Sequence, residues 1–231
     1  SLEAIAESLT RNGIPIRLAD VGDVSKRDVT EALVVKEKEP LYGVILAFNV
    51  KVLPDAEEEA EARKIRIFRH NVIYHLIDGY LKWLKSEREA RERSEFDRLI
   101  KPAKIRVLPG YIFRRSKPAI VGIEVLAGRI KPRIRLMTSE GKDLGEILQI
   151  QDRGTPVPYA EMGQQVAISI DKPIVGRHFD EGDILYVNIP ERDARLLNTK
   201  FRDKLSTGEL EALNEIITIM RKSVPLWASG Y

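Results

Sequence analysis

A chain of 231 residues, 43% of them hydrophobic, can bury the core of one or two domains and is no disordered tail. Zero cysteines exclude a disulfide framework, a thiolate nucleophile and a zinc ribbon, and three histidines leave little soft-metal chemistry. The net charge is only +3, yet residues 102–135 hold nine Lys or Arg against one acid, Glu124, so a single short region carries the basic excess.

No stretch reaches the roughly 18 to 20 apolar residues of a membrane span, and the first residues lack the layout of a signal peptide, so a soluble, reducing, cytoplasmic setting is expected. The opening Ser1-Leu2-Glu3 already lies in a helical pattern, which reads as the interior of a longer protein.

In chain order, Leu2, Ile5, Ala6 and Leu9 recur at helical spacing, and Pro15–Ala19 reads as a strand. Ser25 and Asp28 form a capping box ahead of a helix carrying Val29, Ala32 and Leu33. The apolar run Gly43–Phe48 suits a strand covered on both faces. An acidic helix over Asp55–Arg63 and a short strand over Lys64–Phe68 follow. This alternation predicts a small parallel sheet with flanking helices.

After Asn71, the residues Ile73, Leu76, Ile77, Tyr80, Leu81 and Leu84 make one apolar stripe, which then stops. Lys85–Glu95 is nearly all charged, with Glu87–Arg91 and Glu89–Arg93 spaced to support a helix in water. Phe96, Leu99 and Ile100 restore apolar surface before Pro102. A helix over Val72–Ile100 would run about 43 Å as a rod between two bodies. The alternative, a flexible charged linker over Lys85–Lys101, is disfavoured by those charge pairs and by the absence of Gly and Pro.

From Lys104 the period becomes two. Strands are expected over Lys104–Val107, Ala119–Val125, Arg129–Met137, Glu146–Gln151, Gln165–Ile170 and Asp183–Ile189, with Gly-containing turns between them. Strands so short and so evenly spaced predict a closed antiparallel barrel, because closure removes exposed edges. Terminal helices follow, a short one capped by Asn198 over Thr199–Leu205 and a longer one opened by a Ser206/Glu209 capping box. The domain reading is therefore 1–71 α/β/α, 72–101 connecting helix, 102–190 barrel and 191–231 terminal helices.

No catalytic signature accompanies this scaffold. The only Gly-Lys pair, Gly141-Lys142, is followed by Asp143, so there is no phosphate-binding loop; GxSxG and HExxH are also missing. His70 and His75, five residues apart, do not share a helix face as metal ligands would, and no metal site is assigned. His178 lies in a loop beside Arg177, as a strand-end cap or as a ligand contact. The basic stretch, with Arg106, Arg114, Arg115, Lys117, Arg129 and Lys131 alternating with apolar residues and followed by Arg133 and Arg135, fits phosphate contacts from outward faces and loops. Tyr111 and Phe113 stand beside it as groups that can stack on unpaired bases.

Several ordered segments carry a family resemblance. Ala119–Ile130, Gly145–Ile150, Gly163–Ala167 and Glu181–Leu185 resemble the second-domain barrel of translational GTPases such as elongation factor Tu. The Ser1–Ala4 opening, Gly43–Val50, Asn71–Asp78 and Gly176–Phe179 are similar to the C-terminal half of archaeal and eukaryotic translation initiation factor 5B, homologue of bacterial initiation factor 2, with Asn49 where the family usually has Asp.

The resemblance implies a non-catalytic portion of a factor that promotes ribosomal subunit joining. It implies no cofactor in this segment, with GTP and Mg held by a domain upstream of Ser1, from which a further sheet strand is also expected. Its implied partners are aminoacylated initiator tRNA, the ribosomal subunits and initiation factor 1A. By family position the tRNA acceptor end meets Gly122, Ile123, Glu124, Gln151, Arg153, Gln165, Gly176, Arg177 and His178; Ile123 would face an esterified methionine, and Arg153 and Arg177 the terminal nucleotides. Binding of initiation factor 1A is assigned to Lys200, Phe201, Arg202, Lys204, Leu205, Leu210, Leu213 and Ile217, whose apolar members could equally seal the barrel end. Two other classes remain open: a generic RNA-binding or assembly module using the basic stretch alone, and a small-molecule enzyme using Asp20, Asp23 and Asn49 at the strand ends of the α/β half.

Overall fold

The computed structural model describes residues 2–230; Ser1, the first residue of the Ser1–Ala4 opening, lies outside them. The chain divides into two compact units, residues 1–95 and 96–231. The division falls within one continuous helix, Ile73–Arg98, whose last residues group with the second unit.

In the first unit, α1 (Leu2–Arg11) and α2 (Lys26–Lys38) precede β1 (Val44–Phe48), α3 (Pro54–Arg63), β2 (Arg66–His70) and most of α4 (Ile73–Arg98). Strands β1 and β2 are parallel, from Val44 opposite Arg66 to Phe48 opposite His70, with α3 as the crossover. Alternation sends Ile45 and Ala47 toward Val29, Ala32, Ala56 and Ala60 on one face. Val44, Leu46 and Phe48 pack with Ile5, Leu9, Leu76 and Tyr80 on the other. Helices on both faces explain why the strand is apolar throughout. The Ser25 amide and hydroxyl both donate to Asp28, at 2.8 Å each, fixing the start of α2.

Two expectations for this unit are corrected. Residues 15–19 form no strand, and Ile16 and Leu18 are exposed. A strand exists by pairing, and among the described residues β1 pairs only with β2; its other edge borders a groove of about 420 Å3 lined by Ile5, Leu9, Ile14, Val24, Leu46 and Tyr80. In α4 the helix persists through the charged stretch, but the ion pairs that close are Asp78–Lys82 at 2.9 Å and Lys85–Glu89 at 4.0 Å rather than those of Glu87 and Glu89 with the arginines. The His70 and His75 rings meet edge to face at 4.8 Å, and His70 Nδ1 accepts the Val72 amide at 2.9 Å, a packing role at the helix start.

In the second unit the strands are β3 (Lys104–Arg114), β4 (Ala119–Ala127), β5 (Arg129–Ile130), β6 (Arg135–Thr138), β7 (Asp143–Asp152), β8 (Thr155–Pro156), β9 (Ala160–Glu161), β10 (Gln165–Ile170) and β11 (Ile184–Val187). They make an antiparallel sheet in the order β10-β4-β3-β11-β6-β7-β8, and β10 also pairs with β7, so six strands form a closed ring of pairings. The predicted 129–137 strand is broken into β5 and β6, because Pro132 supplies no amide and Arg133 takes φ +71°. Gly128 is required where it stands: at φ +71° an added Cβ would lie 2.2 Å from the Pro102 carbonyl.

One end of this sheet is closed by α5 (Glu191–Asn198), a single 3-10 turn (Arg202–Lys204) and α6 (Thr207–Arg221), whose apolar faces share one core with the strands. The expected Thr199–Leu205 helix is replaced by α5 and the 3-10 turn; Asn198 ends α5 and accepts from Arg202 at 2.6 Å instead of capping a helix. The Ser206/Glu209 capping box forms as expected, with bonds of 3.2 and 2.9 Å. Glu215 on α6 accepts from the Tyr186 hydroxyl and, at 2.9 Å, from Lys104, tying the helix to β11 and β3.

Candidate nucleic-acid interface

The outer face of the closed sheet follows from period two. On β4, Ala119, Val121, Ile123 and Val125 point into the core, so Ile120, Gly122 and Glu124 point out. On β10, Val166, Ile168 and Ile170 are buried, leaving Gln165, Ala167 and Ser169 outward. The ladders place Gln165 opposite Glu124 and Ala167 opposite both Gly122 and Gln151. Gly122, Ala167 and Gln151 thus make one row with a low floor. The Gln151 amide donates to Gln149 at 3.0 Å along its rim.

Tyr111 covers the Gly122 end of that row from the β3 side. A Cβ on Gly122 would lie 2.7 Å from the Tyr111 Cβ, so the glycine is what lets the tyrosine pack there. Phe113 follows, its ring centroid 6.4 Å from that of Tyr111, and both rings remain more than half exposed, at 54% and 62%. Beyond them β3 ends at Arg114, and Arg115 follows directly. The Val175 amide donates to the Arg115 carbonyl at 2.9 Å, and the Arg115 guanidinium donates to the Val175 carbonyl at 3.4 Å. These bonds hold the loop carrying Gly176, Arg177 and His178 against the end of β3. His178 Nδ1 accepts the Ile174 amide at 2.9 Å, which leaves Nε2 as the ring's other polar atom.

The basic stretch separates into two sets. Arg106 faces Glu124 at 3.9 Å, Arg129 pairs with Glu161 at 2.8 Å while stacking on Tyr159, and Arg135 pairs with Asp143 at 2.5 Å. The Arg135 guanidinium holds the Asp143 carboxyl below its ordinary range, as a compensated pair should. Among the described residues Arg114, Arg115, Lys117 and Arg177 have no carboxylate partner, and all are exposed. Lys131 is exposed on the turn after β5, away from this group in sequence and ladder.

The anticipated acceptor-end residues do not form one cluster. Arg153, beyond the Gln151–Ala167 pairing, lies toward the Gln165 and Glu124 end of β10. Gly176, Arg177 and His178 lie toward its other end, near Ala119 and Ile170, roughly 17 Å away along the strand. Ile123 is fully buried and faces the core, so it offers no surface to a methionyl group. The partner-factor set is corrected in the same way. Phe201, Leu213 and Ile217 are buried in the core of the second unit; Lys200, Arg202, Lys204, Leu205 and Leu210 retain exposed surface. Phe201 packs on Phe96 at 5.5 Å, with Lys101 at 4.3 Å over the Phe96 ring, and burial pushes the Lys101 amine down from its ordinary value.

Residues 101–186 match the family model described as elongation factor Tu domain 4, and residues 1–80 match that of translation-initiation factor 2. The chain is 55% identical to the probable translation initiation factor IF-2 of Ignicoccus hospitalis, over 98% of this chain and 37% of that protein. It is 56% identical to the corresponding factor of Hyperthermus butylicus, over 99% of this chain and 37% of that one. The crystal structure of GDP-bound aIF5B from Aeropyrum pernix is similar, with TM-score 0.56 and 48% identity over 98% of this chain and 38% of that chain. Over nearly its whole length the chain is similar to translation initiation factors named IF-2.

It spans a little over a third of the length of these IF-2 relatives. Within an initiation factor, the exposed Tyr111 and Phe113 beside four cations without carboxylate partners are the features that sequence reasoning underweighted. The signal was present as two aromatics at i and i+2 of a strand with basic residues directly after them. What could not be read is that Gly122 and the 174–179 loop, both distant in sequence, flank them.

Proposed function

We propose that the second unit is a non-catalytic barrel of a translation initiation factor whose outer face holds the acceptor end of aminoacylated initiator tRNA. The supporting observation is an exposed aromatic pair followed by cations: Arg106, Arg129 and Arg135 are ion-paired, whereas among the described residues Arg114, Arg115, Lys117 and Arg177 at the Phe113 end have no carboxylate partner, as is also true of Lys131 and Arg133 on their separate turn. Polyanion binding needs uncompensated cations, because each phosphate neutralised releases a counterion. In this proposal the first unit contacts the ribosome, the exposed Lys200 and Lys204 with the half-buried Arg202, Leu205 and Leu210 receive initiation factor 1A, and GTP with Mg belongs to a domain elsewhere in the longer factor that promotes subunit joining.

Initiator tRNA binding across a salt series tests this. Arg114→Ala and Arg177→Ala should each lower the slope of log affinity against log salt by about 1, and Arg135→Ala should leave it unchanged. Equal slopes for all three would refute the assignment. A generic RNA-binding module would show the same slopes with no preference for the aminoacylated end.

A further inference from the structure

The last residues of α4 group with the second unit, and two polar side chains fix the chain as it leaves the helix. A helix end leaves its final carbonyls without intrahelical donors. Lys101, past that end, folds back and donates to the Phe96 carbonyl and, at 2.9 Å, to the Leu99 carbonyl. Its ammonium thereby also meets the negative end of the helix dipole. Asp193, in the first turn of α5, accepts the Ile100 amide at 2.9 Å. The chain is latched on both sides of Leu99, which is itself buried.

This latch decides where the Phe96 ring lies, and the ring in turn carries cations. Lys101 Nζ sits 4.3 Å from its centroid and Lys204 Nζ 5.8 Å. Phe201, packed on Phe96, has Lys204 at 5.3 Å and Lys200 at 5.1 Å. Lys204 therefore spans both rings. One ring is fixed by the core, since Phe201 is fully buried; the other, half-buried, depends on the end of α4. Lysine is among the side chains most costly to immobilise, so a platform that already holds it lowers the cost of using it in a complex.

We infer that Phe96, Lys101 and Asp193 are positioning residues for the partner face of the second unit: they hold Lys204 over the paired rings, pre-set to meet a partner's carboxylate. The latched end of α4 and partner binding then favour each other. This rests on the assignment of Lys200 and Lys204 to initiation factor 1A proposed above, and adds to it three residues outside that face and a direction of coupling. The coupling is reciprocal: what the latch contributes to affinity, the bound partner returns as protection of the latch.

The test measures affinity for initiation factor 1A, and amide exchange at Leu99 and Ile100, on the 231-residue chain. Phe96→Leu keeps apolar contact with Phe201 but removes a ring face from Lys204, and should weaken binding about 2- to 5-fold. In a Lys204→Met background, itself weaker than wild type, Phe96→Leu should have no further effect. Asp193→Ala and Asp193→Asn remove the same charge, but only asparagine keeps an acceptor for the Ile100 amide. The alanine variant should therefore bind more weakly than the asparagine one and exchange faster at Ile100. Lys101→Met should speed exchange at Leu99 and weaken binding, and bound factor should slow exchange at both amides in wild type. If Lys204→Met weakens binding but the Phe96→Leu loss persists in full beside it, or if the two Asp193 variants bind equally, the positioning role is wrong and the partner face stands. If Lys204→Met binds like wild type, or wild type does not bind the factor, both fall.

Discussion

Phe201 separates a residue that builds the fold from one that recruits a partner. It is fully buried, packed on Phe96 with ring centroids 5.5 Å apart, and Lys200 and Lys204 lie over its ring at 5.1 and 5.3 Å. Phe201→Ala removes its transfer free energy and leaves a cavity among α5, the 3-10 turn and the end of α4, costing about 3–5 kcal/mol. For a domain of this size that lowers Tm by roughly 10–20 °C. The two tryptophans provide the assay, since Trp83 reports the first unit and the buried Trp227 the second. In a Trp83→Phe background, thermal unfolding followed by Trp227 emission should show the full drop, while Phe201→Leu should cost less than about 1.5 kcal/mol. Phe96→Ala combined with Phe201→Ala should be sub-additive by about 0.5–1.5 kcal/mol. A loss below about 0.5 kcal/mol, the range of an ordinary surface change, would refute the packing account.

Other expectations concern the same unit. Burial pushes the Glu215 carboxyl up, but hydrogen bonds from Tyr186 and Lys104 outweigh it and hold the group below its ordinary range. A depressed folded pKa gives stability that is present above the unfolded value and lost as pH falls through the folded one, so Glu215→Gln should destabilise at neutral pH and match wild type in acid urea titrations. Burial, then the bond to Glu215, raises the Tyr186 hydroxyl, so its contribution should vanish only on the alkaline side. Ser206→Ala should cost about 1 kcal/mol in chemical denaturation by removing the acceptor for the Glu209 amide. Gly128→Ala, blocked by the Pro102 carbonyl and strained at φ +71°, should cost about 2–4 kcal/mol in the same assay.

Much of this architecture is legible in local pattern. The apolar run at Gly43–Phe48, the stripe of Ile73–Leu84 and the alternation through Ala119–Val125 each encode burial that the structure reproduces. That same alternation placed Ile123 in the core, since it shares parity with Val121 and Val125; assigning it to a surface pocket overrode a signal already present. The strand expected at Pro15–Ala19 failed for a different reason: sequence reports a strand's capacity, and pairing depends on an edge from elsewhere. Phe201, Leu213 and Ile217 looked surplus only because the Glu191–Asn198 helix, short and opened by Pro190, was not anticipated. The gathering of Arg115 with the Arg177 loop rests on two backbone-directed hydrogen bonds between residues 60 apart, which no local pattern encodes.

The central claim is that the outer face of the closed sheet recognises a charged acceptor end, beyond general attraction to RNA. Binding of the 231-residue chain to aminoacylated and deacylated initiator tRNA, measured at several salt concentrations, tests it most directly. The account predicts tighter binding of the aminoacylated form at every salt, with parallel slopes because both forms present the same phosphates. Equal affinity for the two forms would contradict it.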